Sequence, residues 1–436
     1  MNGVTHTLEA GEIARVTGPA RVEVMKGRIL LVGSEYVGGS AMVIHGLRSY
    51  SIKALEESEL RVFLGAGGIF ERVSPADEVI DDWVEVADCV WRDVARGDLV
   101  KVMVIGPPES GKTTLTAFIT NYLRSKGVRC CLIEGDVGQE DLAVPTAVAM
   151  TVVDRPFIWQ RELSFQEFRF VGCVSPRGCE SRVIAALADL ISAASSKGCG
   201  AVLVNTDGWV DGRDALTYKL ELIRWVKPTH LVVLDERLEG LMDTAFRGLL
   251  KVVGAKAPGK VRARSREERR QLRAEAYRKY FANASVRSVR TDGVGLIKIP
   301  VFNCGRIPVD VLLSTYPELT VLAPYILRAC ADDRDLTLLV RGSPNPSLVE
   351  GIRNDVYAKY AVKLTLVDRK DLTGHLVGIV GEGFREVGVG VVEDVRFDEG
   401  GDATIKLRTP YEGPIIALVG SNIRLDEGFR DARRTE

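Results

Sequence analysis

The chain has 436 residues, 46% of them hydrophobic and 27% charged, with 58 Lys/Arg against 59 Asp/Glu for a net charge of −1. That balance excludes wholesale disorder, and no apolar run approaches the ~18–20 residues that cross a bilayer. Eight cysteines form no Cys-x-x-Cys pair, and the four histidines (His6, His45, His230, His375) are scattered, so core thiols are expected rather than disulfides, zinc ligands or a His-based site. The polar start Met1–Glu12 has no signal pattern, and the chain reads as a soluble cytoplasmic protein.

From Thr7 to Phe70, short β-type runs (Ala20–Val24, Arg28–Val32, Ala41–Ile44, Leu60–Leu64) alternate with glycine turns and predict a small all-β domain. Asp77–Arg96, with Val79, Ile80, Trp83, Val84 and Val86 among acids, predicts a helical connector. The rhythm changes at Leu99. Buried-strand runs at Lys101–Ile105, Arg129–Glu134, Ala201–Asn205 and Thr229–Leu234 are separated by helical stretches at Thr113–Lys126, Ser181–Ser195 and Asp214–Val226. Such alternation predicts an α/β fold with a parallel sheet covered by helices.

Between Lys251 and Tyr280 lie eleven Lys/Arg and three Glu, a local net charge of +8 on an acidic background. The stretch either attracts phosphate chains or forms a solvated helix face with Glu–Arg pairs. Gly295–Pro300 is expected to close the α/β domain. Beyond Ile307, strands are expected at Val309–Tyr316, Thr337–Arg341, Lys363–Val367 and Leu376–Val380, with a helix over Pro344–Tyr360. Val387–Val395, Ala403–Leu407 and Pro414–Val419, with a turn at Asp398–Asp402, complete a second β domain. The expected organisation is an N-terminal β domain with its connector (1–95), a P-loop domain (96–305) and a C-terminal β-rich domain (306–436).

Gly106-Pro107-Pro108-Glu109-Ser110-Gly111-Lys112-Thr113 matches G-x-x-x-x-G-K-[ST], after a strand and opening a helix that continues through Thr114. The glycines let backbone N–H groups curl around one phosphate, and the helix N-terminus adds its positive end. Lys112 would neutralise the β/γ-phosphates, and the Thr113 hydroxyl would ligate Mg²⁺. The pattern reads as a nucleoside triphosphate site. A metal-side carboxylate should end a neighbouring strand, for which Asp136, Asp207 and Asp235 are candidates. Asp136 is favoured because Glu134-Gly-Asp-Val-Gly-Gln139 brings backbone close to a ligand. No Asn-Lys-x-Asp motif is present, which argues against a signalling GTPase.

Four features together resemble the P-loop polynucleotide 5′-hydroxyl kinases, a family that includes the RNA kinase subunit of the pre-mRNA cleavage complex. They are the P-loop with its helix, Asp136-Val-Gly-Gln139 with Pro145-Thr146, a clasp-like Asn205-Thr-Asp-Gly-Trp-Val210-Asp-Gly212, and an Arg-rich lid-like segment from Arg264 to Phe281. The family usually has Pro-Gly where this chain has Pro145-Thr146. Gly172-Cys-Val-Ser-Pro176 is a weaker echo, and Gly374–Arg424 is similar to the family's C-terminal β domain. The resemblance implies ATP and Mg²⁺ as cofactors, and RNA, or DNA, with a 5′-hydroxyl end as substrate. Asp136 would orient or deprotonate that hydroxyl. Gln139, Thr206, Gly208 and Trp209 would receive the strand end, with Trp209 stacking on the terminal base. Lid arginines would stabilise the transferring phosphoryl group. The family pattern favours Arg273 with Arg278, whereas helical spacing favours Arg269 with Arg273. Two other readings stand beside a kinase: an ATP-bound scaffold in an RNA-processing assembly, and an NTPase that drives remodelling.

Overall fold

A computed structural model describes residues 3–259, 264–299, 301–332, 334–398 and 402–432. They form two compact units. One comprises Met1–Ala143, Ala147–Arg169 and Ser175–Arg266; the other comprises Val144–Thr146, Phe170–Val174 and Glu267–Glu436.

The first unit opens with nine short strands from Val4–Leu8 to Ile69–Val73. They form a four-stranded and a five-stranded sheet. Their period-2 alternation is clear in Ala20–Lys26, where Ala20, Val22 and Val24 are buried between more exposed neighbours. The connector is the helix Ile80–Val94, which buries Ile80, Trp83, Val86, Ala87 and Val90 along one stripe. Trp83 meets Phe118 of the P-loop helix edge-on at 5.8 Å, and its indole N–H donates to Lys256 O at 3.0 Å.

A seven-stranded sheet carries the rest of this unit. Its order is Glu167–Phe170, Ala147–Val153, Cys130–Gly135, Ala201–Thr206, Val100–Ile105, His230–Val233, Lys251–Gly254. The last five are mutually parallel, as expected. The sheet as a whole is mixed, however, because Ala147–Val153 runs antiparallel to Cys130–Gly135. The 136–146 connection contains no crossover helix, without which the chain cannot return in parallel. Lys112–Ser125, Glu180–Ser195, Arg213–Val226 and Glu236–Ala245 supply the helices.

In the second unit, the helix Arg266–Tyr280 is followed by a sheet ordered Ser285–Arg290, Ala403–Thr409, Glu386–Phe397, His375–Val380, Ala417–Leu425, Gly295–Ile297, with Asp431–Ala432 added beside Ala417–Leu425. A four-stranded sheet (Gly305–Ile307, Ile326–Asp332, Asp335–Val340, Lys363–Asp368) packs with the helices Val309–Thr315 and Pro346–Tyr360. Gly295–Ile297 pairs parallel with Ala417–Val419 in this sheet. Val309–Tyr316, expected as a strand, is the helix Val309–Thr315, following Pro308 and burying Leu312. A seven-residue apolar run carries too little periodicity to separate the two. Cys304 and Cys330 form a disulfide with Cα atoms 5.4 Å apart, against the expectation of thiols only. The fold brings together two cysteines that are 26 residues apart in sequence. The other six cysteines are not in disulfides, and five of them are buried. Lys260 and Arg262 of the basic stretch, Pro300, and positions 399–401 of the expected turn lie outside the described residues.

Candidate active site

Strand order places the ends of Val100–Ile105, Ala201–Thr206 and Cys130–Gly135 side by side, so the loops that follow them converge. The P-loop turns through Glu109 at φ +60° and Gly111 at φ +95° before the helix begins at Lys112. A Cβ on Gly106 would stand 2.9 Å from Ser110 Oγ and 3.0 Å from Leu234 Cβ, which accounts for glycine there. Lys112 is 6% exposed, and its ammonium donates to Pro107 O at 2.6 Å. Burial, reinforced by the Lys219 charge and opposed by Asp136 and Asp207, brings its pKa down to about 8. The buried Ser110 hydroxyl has no hydrogen-bond partner among the described residues. A cationic loop with an unspent donor suits a phosphate chain.

Behind the loop lies a polar network in an otherwise apolar sheet. Glu134 and Asn205 are register partners on neighbouring parallel strands. Asn205 Nδ2 donates to both Glu134 oxygens, at 2.8 and 2.9 Å, and lies 3.1 Å from Thr113 Oγ1. Burial, then the Asp136 charge, pushes Glu134 up to about 8. Asp136 N donates to Glu134 Oε1, while Asp136 Oδ1 accepts from Gly138 N and Gln139 N at 3.0 and 3.1 Å. Burial and the Asp207 charge raise the Asp136 pKa against the pull of Lys112. Of the other strand-end candidates, Asp235 caps the helix Glu236–Ala245 by accepting from Leu238 N, and Asp207 is ion-paired with Lys219. Asn205 Oδ1 is buried without a partner among the described residues. With the Thr113 hydroxyl and two carboxylates, the donor set is all oxygen and fits a hard cation such as Mg²⁺. Among the described residues no group of three or more His, Cys, Asp or Glu is placed to hold a metal ion.

The clasp lies directly on the P-loop. A Cβ on Gly208 would sit 2.8 Å from both N and Cα of Pro108. Trp209 is half-buried; its ring stacks on Tyr218 with centroids 5.7 Å apart and planes 25° apart, and the Arg177 guanidinium lies 5.3 Å from its centroid. Thr206, expected to contact substrate, ends the strand Ala201–Thr206. Its hydroxyl is buried and donates to Val104 O at 2.8 Å, because it sits within the strand rather than on the loop. Gln139 Oε1 accepts from Arg264 at 3.2 Å, and Arg264 also lies 3.9 Å from Glu109.

The lid candidates lie on the helix Arg266–Tyr280 of the second unit. Arg273 pairs with Asp431 at 2.9 Å, Arg270 donates to Asp431 O at 2.6 Å, Arg269 is half-buried, and Arg278 is exposed. In the first unit, the fold brings Lys112, Thr113, Asp136, Gln139, Gly208 and Trp209 to one loop cluster. Sequence reasoning missed Glu134, Asn205, Lys219, Arg177 and the placement of Arg264. A carboxylate and an amide inside two apolar strand runs were the available signal for the first pair.

Residues 106–283 match the family model described as mRNA cleavage and polyadenylation factor CLP1 P-loop. The chain is 27% identical over 321 residues to a polyribonucleotide 5′-hydroxyl-kinase of Pyrococcus abyssi, covering 72% of this chain and 83% of that one. It is 30% identical over 208 residues to polyribonucleotide 5′-hydroxyl-kinase Clp1 of Danio rerio, covering 44% of each. Its fold is similar to that of Clp1p solved in a Clp1p–Pcf11p complex, with a TM-score of 0.65, 13% identity, and coverage of 97% of this chain and 99% of that chain.

Proposed function

With residues 106–283 in the CLP1 P-loop family, we propose that this chain is an ATP-dependent polynucleotide 5′-hydroxyl kinase that transfers the γ-phosphate of ATP to the 5′ end of RNA. The observation that carries the reading is the close packing of a complete P-loop and a clasp seated on Pro108, with a half-buried Asp136 held by backbone N–H groups beside them. A hydrolase needs the first, but only an enzyme that receives a strand end needs all three.

Lys112 would leave Pro107 O for the phosphate chain, and the Ser110 hydroxyl would gain its missing partner there. Mg²⁺ would be held by Thr113 with Asp136 and Glu134 nearby, and supplies charge neutralisation across the phosphates. Asp136 is fixed by two backbone N–H groups, which aims it as the group that orients the 5′-hydroxyl and accepts its proton. Trp209 would stack on the terminal base, which tolerates any sequence. Arg269, Arg273 and Arg278 would supply charge to the transferring group; Arg273 must then exchange Asp431 for phosphate. Arg264, beside Glu109 and Gln139, is a further cation for the same task.

The test is transfer of label from γ-labelled ATP to 5′-hydroxyl single-stranded RNA, single-stranded DNA and duplex ends. Transfer to RNA, abolished by Lys112→Ala, supports the reading. ATP binding without labelling of any 5′ end would make the chain a nucleotide-bound scaffold. Fast ATP hydrolysis without an acceptor would make it an NTPase.

A further inference from the structure

Lys219 is wholly buried, 106 residues beyond the last residue of the P-loop motif, and belongs to no motif. Its ammonium donates to Asp207 Oδ2 at 2.9 Å and to Asp207 O at 2.9 Å, and lies 3.5 Å from Thr206 Oγ1. The same Asp207 carboxylate accepts from the Tyr218 hydroxyl at 2.9 Å and, through Oδ1, from Trp209 N at 2.9 Å. Asp207 is 3% exposed. A buried ion pair costs desolvation on both sides and stabilises a fold no better than packed apolar groups, so its use here calls for another benefit.

That benefit is geometric. One carboxylate fixes the clasp backbone through Trp209 N and fixes the Tyr218 ring through its hydroxyl, and the Tyr218 ring is the surface on which the Trp209 indole lies. Lys219 locks the carboxylate from the helix side, so the helix Arg213–Val226 sets the indole from two directions at once. We infer that Lys219, Asp207 and Tyr218 are positioning residues that preset the Trp209 indole for an incoming single-stranded 5′ end. The inference rests on the kinase reading for its substrate and deepens it. Preorganising an aromatic platform removes the ordering cost from binding and so acts on affinity for the strand, not for the nucleotide.

Tyr218→Phe is the sharpest test, since it keeps the stacked ring and removes only the hydroxyl. The KM for a 5′-hydroxyl oligoribonucleotide should rise about 3–10-fold while the affinity for ATP, read with a fluorescent analogue, stays within twofold. In a Trp209→Ala background the same substitution should have no further effect on oligonucleotide KM, because the network acts through the indole. Lys219→Arg should retain more oligonucleotide affinity than Lys219→Met, with both variants checked for intact melting. Equal changes toward ATP and oligonucleotide, or an undiminished Tyr218→Phe effect without Trp209, would overturn the inference. Direct oligonucleotide binding by anisotropy separates it from the kinase reading. If the wild type labels no 5′ end but binds single strands in a manner that Tyr218→Phe weakens through Trp209, the catalytic proposal falls and the positioning role stands.

Discussion

Lys112 illustrates how a single side chain joins fold to chemistry. It lies buried over its own loop, so its charge is costly until a phosphate chain arrives, and burial lowers its pKa to about 8 from an ordinary 10.5. The sign of the consequence is fixed. Above pH 8 the free protein has a largely neutral Lys112, whereas the bound triphosphate favours the ammonium, so binding must take up a proton. Nucleotide affinity should therefore weaken as pH rises from 8 toward 10, by up to about tenfold per unit, and hold steady below 8. Titrations with a fluorescent nucleotide across pH 7–10 would show this slope, and Lys112→Met should flatten it. A wild-type affinity flat through pH 9 would contradict the buried, depressed lysine.

Among the elements, the clasp and the P-loop are placed by glycine as much as by hydrogen bonds. Gly208 lies against the backbone of Pro108, not against a side chain that could swing away. Gly208→Ala must push the two loops apart by several tenths of an ångström. We expect a loss of about 1–3 kcal/mol in stability and weaker binding of both ATP and oligonucleotide, unlike the one-sided effect of changing Tyr218. Denaturant unfolding together with the two binding assays checks this, and an unchanged midpoint would show that the loops can separate freely. The same scale explains the mixed sheet: Ala147–Val153 returns antiparallel because its connection is loop, and Asp136, Gln139 and Thr146 all lie on or beside it.

Within the first unit as a whole, the N-terminal β sheets are joined to the central sheet through charge. Arg48 pairs with Asp141, which also accepts from Arg161 at 2.9 Å and from the Trp159 indole at 2.8 Å. The guanidiniums of Arg48 and Arg161 flank the same indole, each 4.6 Å from its centroid. Burial would raise the Asp141 pKa, yet the two arginines hold it below the ordinary value. Arg48→Met should cost about 2–3 kcal/mol, less than breaking an isolated buried pair because Arg161 remains. Chemical unfolding of the full chain reads the loss, and no change in midpoint would mean that the ion pair does not hold the β sheets to the central sheet. No helix among the described residues is long and apolar enough to span a membrane.

The phosphate loop, its flanking strand and helix, the connector helix and most of the C-terminal strands were legible because each is written locally, in a period of 2 or 3.6 and in glycines at fixed offsets. Trp209 and Gly208 were singled out instead by the resemblance of Asn205–Gly212 to the family's clasp. Where periodicity was short, as at Val309–Thr315, the reading failed. What only the tertiary structure decided were the pairings between distant residues: Glu134 with Asn205 across strand register, Lys219 with Asp207, Arg48 with Asp141, and Cys304 with Cys330. It likewise closed the Thr206 hydroxyl onto Val104 O of the neighbouring strand. Strand order and register bring such partners together, and neither is encoded in any one segment, so sequence defined the chemistry on offer while the fold chose which groups meet.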